Sequence, residues 1–272
     1  MGEGGELPAP GGAAGNGAGG QSEAIAHLEQ ALEALRRLPE TKETTETIID
    51  THIDLRNALL PLRDPARMGE HLHEAEVLAR GLGDQQRLAR ITTFMVIQCL
   101  GDGDYAEAVR FGREALGIAR SLDDRAIEVL ATAFLGQTHA TRGDLDEAIT
   151  LLERNVALEG DLRYERFGAP VIQSALSGTN LAEVLSELGR FDEAIRHAEA
   201  AVKIAEVADH PLTLATALRY LGYVLLRRGD LPGATRAAER VRGREGRGDI
   251  RHEGELPCPA QVEGLFEHAG RA

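Results

Sequence analysis

The sequence predicts an all-α fold, a right-handed α-solenoid of antiparallel helix pairs that repeat about every 40 residues. A short phrase recurs along the chain, as GDYAEAV at 103–109, GDLDEAI at 143–149, GRFDEAI at 189–195 and GDLPGAT at 229–235. The residues five places after the turn glycines lie 40, 46 and 40 residues apart, at Ala108, Ala148, Ala194 and Ala234. The composition, 43% hydrophobic but only 4% aromatic, is typical of aliphatic, alanine-rich helical arrays.

Two weaker copies extend the repeat towards the amino terminus. Met68 takes the place of the alanine in PARMGEHLHEAEVLA, and Ala24 takes it in SEAIAHLEQALEAL. No first helix precedes the copy at Ala24. Residues 21–242 are therefore predicted to form a half repeat followed by five helix pairs.

The periodicity places each helix of this domain. The half repeat is predicted at 22–38, and the pairs at 44–60 with 68–81, 86–100 with 105–122, 126–141 with 145–158, 171–188 with 191–207, and 211–228 with 231–242. The one irregular join, 159–170, holds the six extra residues of the 46-residue interval.

The two ends of the chain differ from this repeat domain. Residues 1–20 are too rich in glycine to bury a core and are predicted to be disordered. Residues 243–272 show no periodicity and are predicted to be an irregular or disordered tail. The missing first helix and the missing polar end cap predict a fragment boundary at one or both ends.

Local features explain how two helices of a pair come together. The turn glycine ends the first helix, and the aspartates that follow it at 104, 144 and 230 are expected to cap the second. A second small residue follows seven places after most markers, on the same helix face. The Leu-Gly pairs at 135–136 and 221–222 place a large side chain beside a flat spot.

These features resemble the tetratricopeptide repeat family, in which a bulky aromatic, Leu-Gly, Tyr, Ala and Phe follow one another over two antiparallel helices. Leu135, Gly136 and Ala148 match this pattern, whereas Thr132, His139 and Leu152 stand for the aromatic, the tyrosine and the phenylalanine. The pitch exceeds the usual ~34 residues by about six. The resemblance implies a groove whose wall is formed by the first helices and which binds protein segments.

A second resemblance covers Ala31 to about Arg240. ALEALRRLPET, IDLRNALLPL, HLHEAEVLARGLGD, LLERNVALEGDLRYERFGAP and AVKIAEVADHP are similar to the carboxy-terminal repeats of large bacterial regulators. Those proteins place an adenylate or guanylate cyclase domain and an AAA-like ATPase module upstream of the repeats. The sequence contains neither catalytic domain, so the resemblance implies the regulatory end of a signalling protein.

Charge and hydropathy limit the classes of partner that the chain is expected to bind. The net charge is −14, which argues against nucleic acid because phosphate binding needs a basic stripe. No run approaches ~18 apolar residues and no signal peptide begins the chain, so no membrane association is expected. Cys99 and Cys258 form neither a disulfide framework nor a zinc motif. We expect a cytoplasmic protein with protein or peptide partners.

The sequence offers no catalytic candidate. It has no phosphate-binding glycine loop, no G-x-S-x-G, no H-E-x-x-H and no C-x-x-C. His71 and His73 lie two apart on a helix and diverge by roughly 200°, so we expect solvated side chains and no metal site. His139 is expected to pack between helices. We predict that the chain is not an enzyme and has no cofactor.

Binding residues are expected on the first helices. The family frame places the following residues on the groove wall: Asp50, Ile53, Asn57, Arg90, Thr93, Ile97, Leu130, Ala133, Gln137, Leu176, Thr179, Glu183, Thr216, Arg219 and Tyr223. Any one of them could instead have only a packing or surface role. In the irregular join, Tyr164, Arg166 and Phe167 could project towards the groove, or Phe167 could fill the gap left by the longer join.

The leading hypothesis is a non-catalytic protein interaction scaffold, a regulatory fragment of a larger bacterial signalling protein, that binds a peptide or partner domain in a concave groove. One alternative is a lobe that regulates a nucleotidyl cyclase or ATPase in cis. The other is the sensor lobe of a transcription activator.

Overall fold

The computed structural model describes the backbone of residues 16–245 and the side chains of residues 22–243. Every regular element within this range is helical, which confirms the predicted all-α fold of antiparallel helix pairs. Of the segment 1–20 predicted to be disordered, residues 1–15 lie outside the described residues, as do residues 246–272 of the irregular tail predicted for 243–272. Residues 243–245 of that tail are helical and not irregular.

The described residues form eleven α-helices and two short 3-10 helices, at Leu60–Leu62 and Gly160–Tyr164. The α-helices are α1 Asn16–Leu35, α2 Lys42–Leu59, α3 Pro65–Leu82, α4 Gln85–Asp102, α5 Tyr105–Ser121, α6 Arg125–Arg142, α7 Leu145–Val156, α8 Gln173–Glu187, α9 Phe191–Val207, α10 Pro211–Arg228 and α11 Leu231–Glu245.

The helix ends mostly agree with the sequence prediction, and α9 and α10 agree at both ends. The largest difference is α1, which begins at Asn16 rather than at residue 22. Residues 16–20 are therefore helical and not disordered. No proline lies between Pro10 and this segment, so nothing there blocks extension of a helix that is anchored through Ile25 and Leu32.

The helices group into two compact units, and the boundary falls between Leu82 and Gly83. The amino-terminal unit holds α1, α2 and α3, and α2 packs against both of the others. Its core contains Ile25, Leu32, Leu55, Leu59 and Met68. The carboxy-terminal unit holds α4 to α11, in which each helix packs on the next. The single repeat domain over 21–242 stays a prediction.

Small residues lie where the helices of the carboxy-terminal unit approach most closely. Ala108, Ala148 and Ala194 are fully buried, as predicted for the repeat markers. Seven places after Ala148 the small residue is replaced by Asn155, which is also buried. Its Nδ2 donates to the Val129 carbonyl at 2.9 Å and to Ser177 Oγ at 3.2 Å, so a polar link ties α7 to α6 and α8.

Both residues of the Leu135-Gly136 pair pack against a neighbouring helix. A Cβ added at Gly136 would lie 2.9 Å from both Cγ and Cδ2 of Leu152, so the glycine leaves room for the large side chain of α7. Leu135 in turn lies over Gly112 of α5, where an added Cβ would meet its Cδ1 at 2.9 Å. Each leucine therefore packs over a glycine of the neighbouring helix.

Turn and cap geometry agrees with the sequence at two of three sites. Asp104 accepts from the Glu107 amide at 3.2 Å and Asp230 from the Gly233 amide at 2.9 Å. The predicted cap at Asp144 is wrong, because its side chain makes no bond to its own helix. Its Oδ2 lies 3.0 Å from His139 Nδ1 and 3.2 Å from Arg142 Nε, both on α6.

The two Leu-Gly pairs give a matched test of this packing. Gly136→Ala should lower the free energy of unfolding by ~1–3 kcal/mol, because Leu152 must move. Gly222→Ala should be neutral or stabilising by up to about 1 kcal/mol, since its Cβ would meet Ala237 at 3.6 Å. Urea unfolding of both variants provides the measurement. Equal destabilisation by the two substitutions would contradict the assigned packing.

Candidate functional site

The first helices of the carboxy-terminal unit form a continuous wall. In it α4 contacts α6, α6 contacts α8 and α8 contacts α10, whereas the second helices of the same unit lack comparable contacts with one another. Helices that approach each other more closely on one side of a stack lie on its inner side. The wall of this unit, here called the inner wall, therefore consists of α4, α6, α8 and α10.

Only some predicted positions of the carboxy-terminal unit are open on the inner wall. Arg90 is exposed, and Ile97, Gln137, Glu183 and Arg219 are half-buried. A further set of the predicted positions is buried: Thr93, Ala133, Leu176, Thr179, Thr216 and Tyr223. Leu130 is half-buried.

Because these positions are buried, the prediction that they lie on the binding surface is wrong. The cause is the close packing of helices around α8 and α10. Every residue from 171 to 182 is buried, because α8 contacts α6, α7, α9 and α10. The hydroxyl of Thr179 donates to the Leu176 carbonyl at 2.7 Å, and that of Thr93 donates to the Ala89 carbonyl at 2.7 Å. Both hydroxyls are thus used inside their own helices. Partner binding at the open positions stays a prediction.

The three predicted positions on α2 belong to the amino-terminal unit. Asp50 is half-buried and Ile53 is buried. Asn57 is exposed, and its Oδ1 accepts from Arg56 Nη1 at 3.1 Å. Ile53 is therefore a core residue of this unit rather than a surface residue.

The sequence prediction missed two aromatic residues on the inner wall. Phe94 of α4 and Phe134 of α6 are both half-buried and occupy equivalent repeat positions, 40 residues apart. The Arg90 guanidinium lies 5.9 Å from the centre of the Phe94 ring. The equal spacing was visible in the sequence. The family frame places its wall positions one residue earlier, at Thr93 and Ala133, so the phenylalanines were passed over.

Glu183 is the most perturbed acid of the inner wall. Burial, with a smaller contribution from the nearby Glu187 carboxylate, raises the pKa of Glu183 to about 7, and Arg227 partly opposes this rise. Arg227 also donates to Tyr223 Oη at 3.1 Å and lies 4.0 Å from Glu187. Among the described residues, Glu183 makes no side-chain hydrogen bond or ion pair. It is therefore a poorly neutralised acid on this wall.

Asn180 adds a buried donor one helical turn before Glu183. It corresponds to Phe134 once the longer join is allowed for, and it is buried. Its Nδ2 has no hydrogen-bond partner in the described part of the chain. A buried amide without a partner costs free energy, so the interior at α8 is both polar and incompletely satisfied.

The inner wall thus has two chemical halves. On α4 and α6 it presents half-buried apolar side chains, namely Phe94, Ile97, Leu130 and Phe134. On α8 it presents the half-buried Glu183 and the exposed Glu187. This arrangement can take up apolar side chains beside a positively charged group.

The irregular join packs against two helices of the carboxy-terminal unit. Its 3-10 helix contacts α8 and α9. The join holds the start of α8, because Ser174 Oγ donates to the Arg163 carbonyl at 2.5 Å and the Gln173 amide donates to the Glu165 carbonyl at 3.3 Å. These bonds replace the side-chain cap that α8 lacks.

Within this join the three candidate residues differ in exposure. Tyr164 and Arg166 are exposed, and Phe167 is half-buried. Phe167 has φ of 53°, which is strained for a bulky residue and occurs more often at functional sites. A binding role for the three residues stays a prediction.

The described residues bear on two kinds of reactive group, a nucleophilic cysteine and a metal site. Burial raises the pKa of the Cys99 thiol to about 11, whereas a nucleophilic cysteine needs a lowered pKa. No cluster of three or more His, Cys, Asp or Glu in the described range could hold a metal ion. None of the helices described is long and apolar enough to span a membrane.

Family comparison identifies the repeats. Two tetratricopeptide repeat models match this chain, one at residues 129–154 and the other at residues 172–243. The matched segments cover most of α6 and α7 and nearly all of α8 to α11. Over these segments the chain is similar to tetratricopeptide repeats.

Among curated proteins, the human tetratricopeptide repeat protein 29 is 25% identical over 144 residues. The match covers 53% of this chain and 29% of that protein. This chain therefore spans less than a third of that relative's length.

Solved structures with a similar fold share little sequence with this chain. BtubC from P. vanneervenii has a TM-score of 0.65 and 17% identity, over 88% of this chain and 96% of that one. A Rap conjugation gene regulator of a plasmid, in complex with the Phr* peptide, has a TM-score of 0.60 and 17% identity, over 93% of this chain and 69% of that one. A Signal Transduction ATPase with Numerous Domains from Pyrococcus horikoshii has a tetratricopeptide repeat sensor. Its TM-score is 0.60 and its identity 16%, over 82% of this chain and 35% of that one.

The raised pKa of Glu183 predicts a pH-dependent effect of Glu183→Gln on stability. The folded state holds this proton more tightly than the unfolded state, so the wild type loses stability as pH rises from about 4.5 to about 7. The variant cannot ionise there. Its unfolding free energy relative to wild type should increase between pH 5 and pH 8, by on the order of 1 kcal/mol or more.

Urea unfolding at the two pH values measures this difference. Glu199→Gln, at an exposed position of α9, is the control and should shift the unfolding free energy equally at both. A pH-independent effect of Glu183→Gln would show that Glu183 ionises as it does in water.

Proposed function

We propose that this chain is a non-catalytic interaction module that binds an extended or helical peptide on the inner wall of its carboxy-terminal unit. The observation that carries the proposal is the half-buried apolar row on α4 and α6 beside the poorly neutralised Glu183 of α8. The similar fold of the Rap regulator in complex with a peptide supports it.

The apolar half would supply most of the affinity. Phe94, Ile97 and Phe134 each keep part of their surface in water, and a partner that covers them removes that surface. Aromatic side chains at the centre of an interface often cost 2 kcal/mol or more when truncated, which is roughly a thirtyfold loss of affinity.

The acidic half would supply specificity. Burial and the Glu187 carboxylate favour the protonated form of Glu183, so at neutral pH a part of the molecules carries a proton on this side chain. A lysine or arginine of the partner would replace that proton and lower the pKa of Glu183. We therefore expect ligands in which apolar residues stand next to a basic residue.

The wider setting is part of the same proposal. We propose that the chain is cytoplasmic and non-catalytic, and that it is the regulatory fragment of a larger bacterial signalling protein. These proposals rest on the composition and on the resemblances described for the sequence. The acidic net charge of −14 favours basic or mixed protein segments over nucleic acid.

Selection from a random peptide library tests the binding surface. Peptides selected against the whole chain should be enriched in apolar residues followed by lysine or arginine. Their affinity, measured by fluorescence anisotropy, should fall at least tenfold for the double variant Ile97→Ser, Phe134→Ser. Val207→Ser, which removes an apolar side chain that is 63% exposed on α9, is the matched control and should change affinity less than twofold.

The pH dependence of the same binding tests the role of Glu183. Affinity for a basic peptide should decrease as pH falls from 8 to 6, because protonation removes the charge that the ligand needs. Glu183→Gln should bind more weakly at pH 8 and lose this dependence. Peptides that bind the wall variants and the control equally would place the site elsewhere and refute the proposal.

A second candidate is a regulatory lobe that acts on a cyclase or ATPase domain of a larger protein. The ATPase whose tetratricopeptide repeats form a sensor has a similar fold and favours this possibility, as does the sequence resemblance to cyclase and ATPase regulators. Adding the purified chain to a cyclase or ATPase domain encoded next to it should change turnover. No effect at saturating concentration would exclude this candidate for that domain, while leaving the peptide-binding proposal to its own test.

A further inference from the structure

Two histidines face each other between α2 and α3 in the amino-terminal unit. Nδ1 of His52 lies 3.1 Å from Nδ1 of His71, and the ring centres are 5.2 Å apart with the planes tilted by 52°. His52 is 1% exposed, and His71 is half-buried. The sequence prediction of a solvated His71 is therefore wrong, because its partner, His52, lies 19 residues away on the neighbouring helix.

The two rings share one hydrogen bond, in which the Nδ1–H of one ring donates to the Nδ1 lone pair of the other. Nε2 of His52 lies 3.2 Å from the Glu74 carboxylate but makes no hydrogen bond to it. The bond between the rings therefore requires that at least one Nδ1 carries no proton.

Charged groups surround the histidine pair on each packed element. Arg36, just after α1, donates to Glu74 at 2.5 Å and holds that carboxylate towards α1. Arg67 of α3 is paired at 2.5 Å with Glu29 of α1. Arg67 lowers the pKa of His71, whereas Glu74, Glu29 and Glu70 raise it.

The pair tolerates one added proton but not two. With one ring protonated, the Nδ1 of the neutral ring still accepts the hydrogen bond. With both rings protonated, two N–H groups on two positive rings lie 3.1 Å apart, and their repulsion favours separation of the helices.

Burial makes the second proton difficult to add. Desolvation, helped by His71 and Arg36 and opposed by Glu74, lowers the pKa of His52 to about 4. Burial and Arg67 lower the pKa of His71 as well. Both imidazoles are therefore neutral in the folded unit at neutral pH.

We propose that the His52–His71 pair is an acid-sensitive latch, which holds α2 against α3 at neutral pH and releases them when both rings are protonated. The sign follows from linkage. The stability that the neutral pair contributes is fully present above the unfolded histidine pKa of about 6.5 and is lost as pH falls from there towards about 4. This device lies in the amino-terminal unit and is independent of peptide binding on the inner wall.

Hydrogen exchange on the whole chain, between pH 7 and pH 5, tests the latch. After correction for intrinsic rates, protection of α2 and α3 amides in the wild type should fall by on the order of tenfold or more. His52→Gln keeps a donor and an acceptor but cannot titrate, and should remove most of this fall. His27→Gln, at a side chain that is 70% exposed on α1, is the control and should behave as the wild type.

A readout on the wild type covers the case in which His52→Gln does not fold. Long-range proton–nitrogen spectra at pH 7 should show one ring of the pair protonated on Nδ1 and the other on Nε2, and His52 should titrate well below 6.5. The same tautomer in both rings, a His52 that titrates near 6.5, or an unchanged pH response in His52→Gln would each overturn the latch.

Discussion

The close approach of paired helices at small residues is the constraint on which the rest of the structure depends. Ala108, Ala148 and Ala194 are fully buried, and a larger side chain there would push the helices of a pair apart. The space left by Gly136 is filled by Leu152 of the neighbouring helix. This complementarity fixes the register of each pair, and the register decides which face of α4, α6, α8 and α10 meets the next first helix. The inner wall is thus a consequence of packing between alanine, glycine and leucine.

Most of the fold could be read from the sequence, because helices of this kind carry their own signals. Turn glycines, buried alanines and a fixed pitch placed α9 and α10 correctly at both ends. Exposure on the inner wall could not be read in this way. Thr179 and Tyr223 are buried by neighbouring helices, and how closely these approach depends on side chains in other repeats. Asp144 similarly bonds backwards to His139 rather than capping α7, and His52 meets a partner that no local pattern links to it.

Both units bury titratable groups, and burial acts on them in opposite senses. It raises the pKa of Glu183 to about 7 and lowers that of His52 to about 4, since in each case the charged form is disfavoured. Glu183 lies on a half-open wall, where a cationic ligand can replace its proton. His52 is enclosed between two helices, and protonating both rings of its pair favours their separation. The same physical cost therefore favours ligand recognition in one unit and conformational release in the other.

The central claim is that ligands lie on the first helices of the carboxy-terminal unit. The most direct measurement is photo-crosslinking with a selected peptide that carries a photoreactive side chain, followed by mass spectrometry of the linked residues. The account predicts crosslinks to α4, α6, α8 and α10, concentrated around Ile97, Phe134 and Glu183. Crosslinks concentrated on α5, α7 and α9 would contradict it.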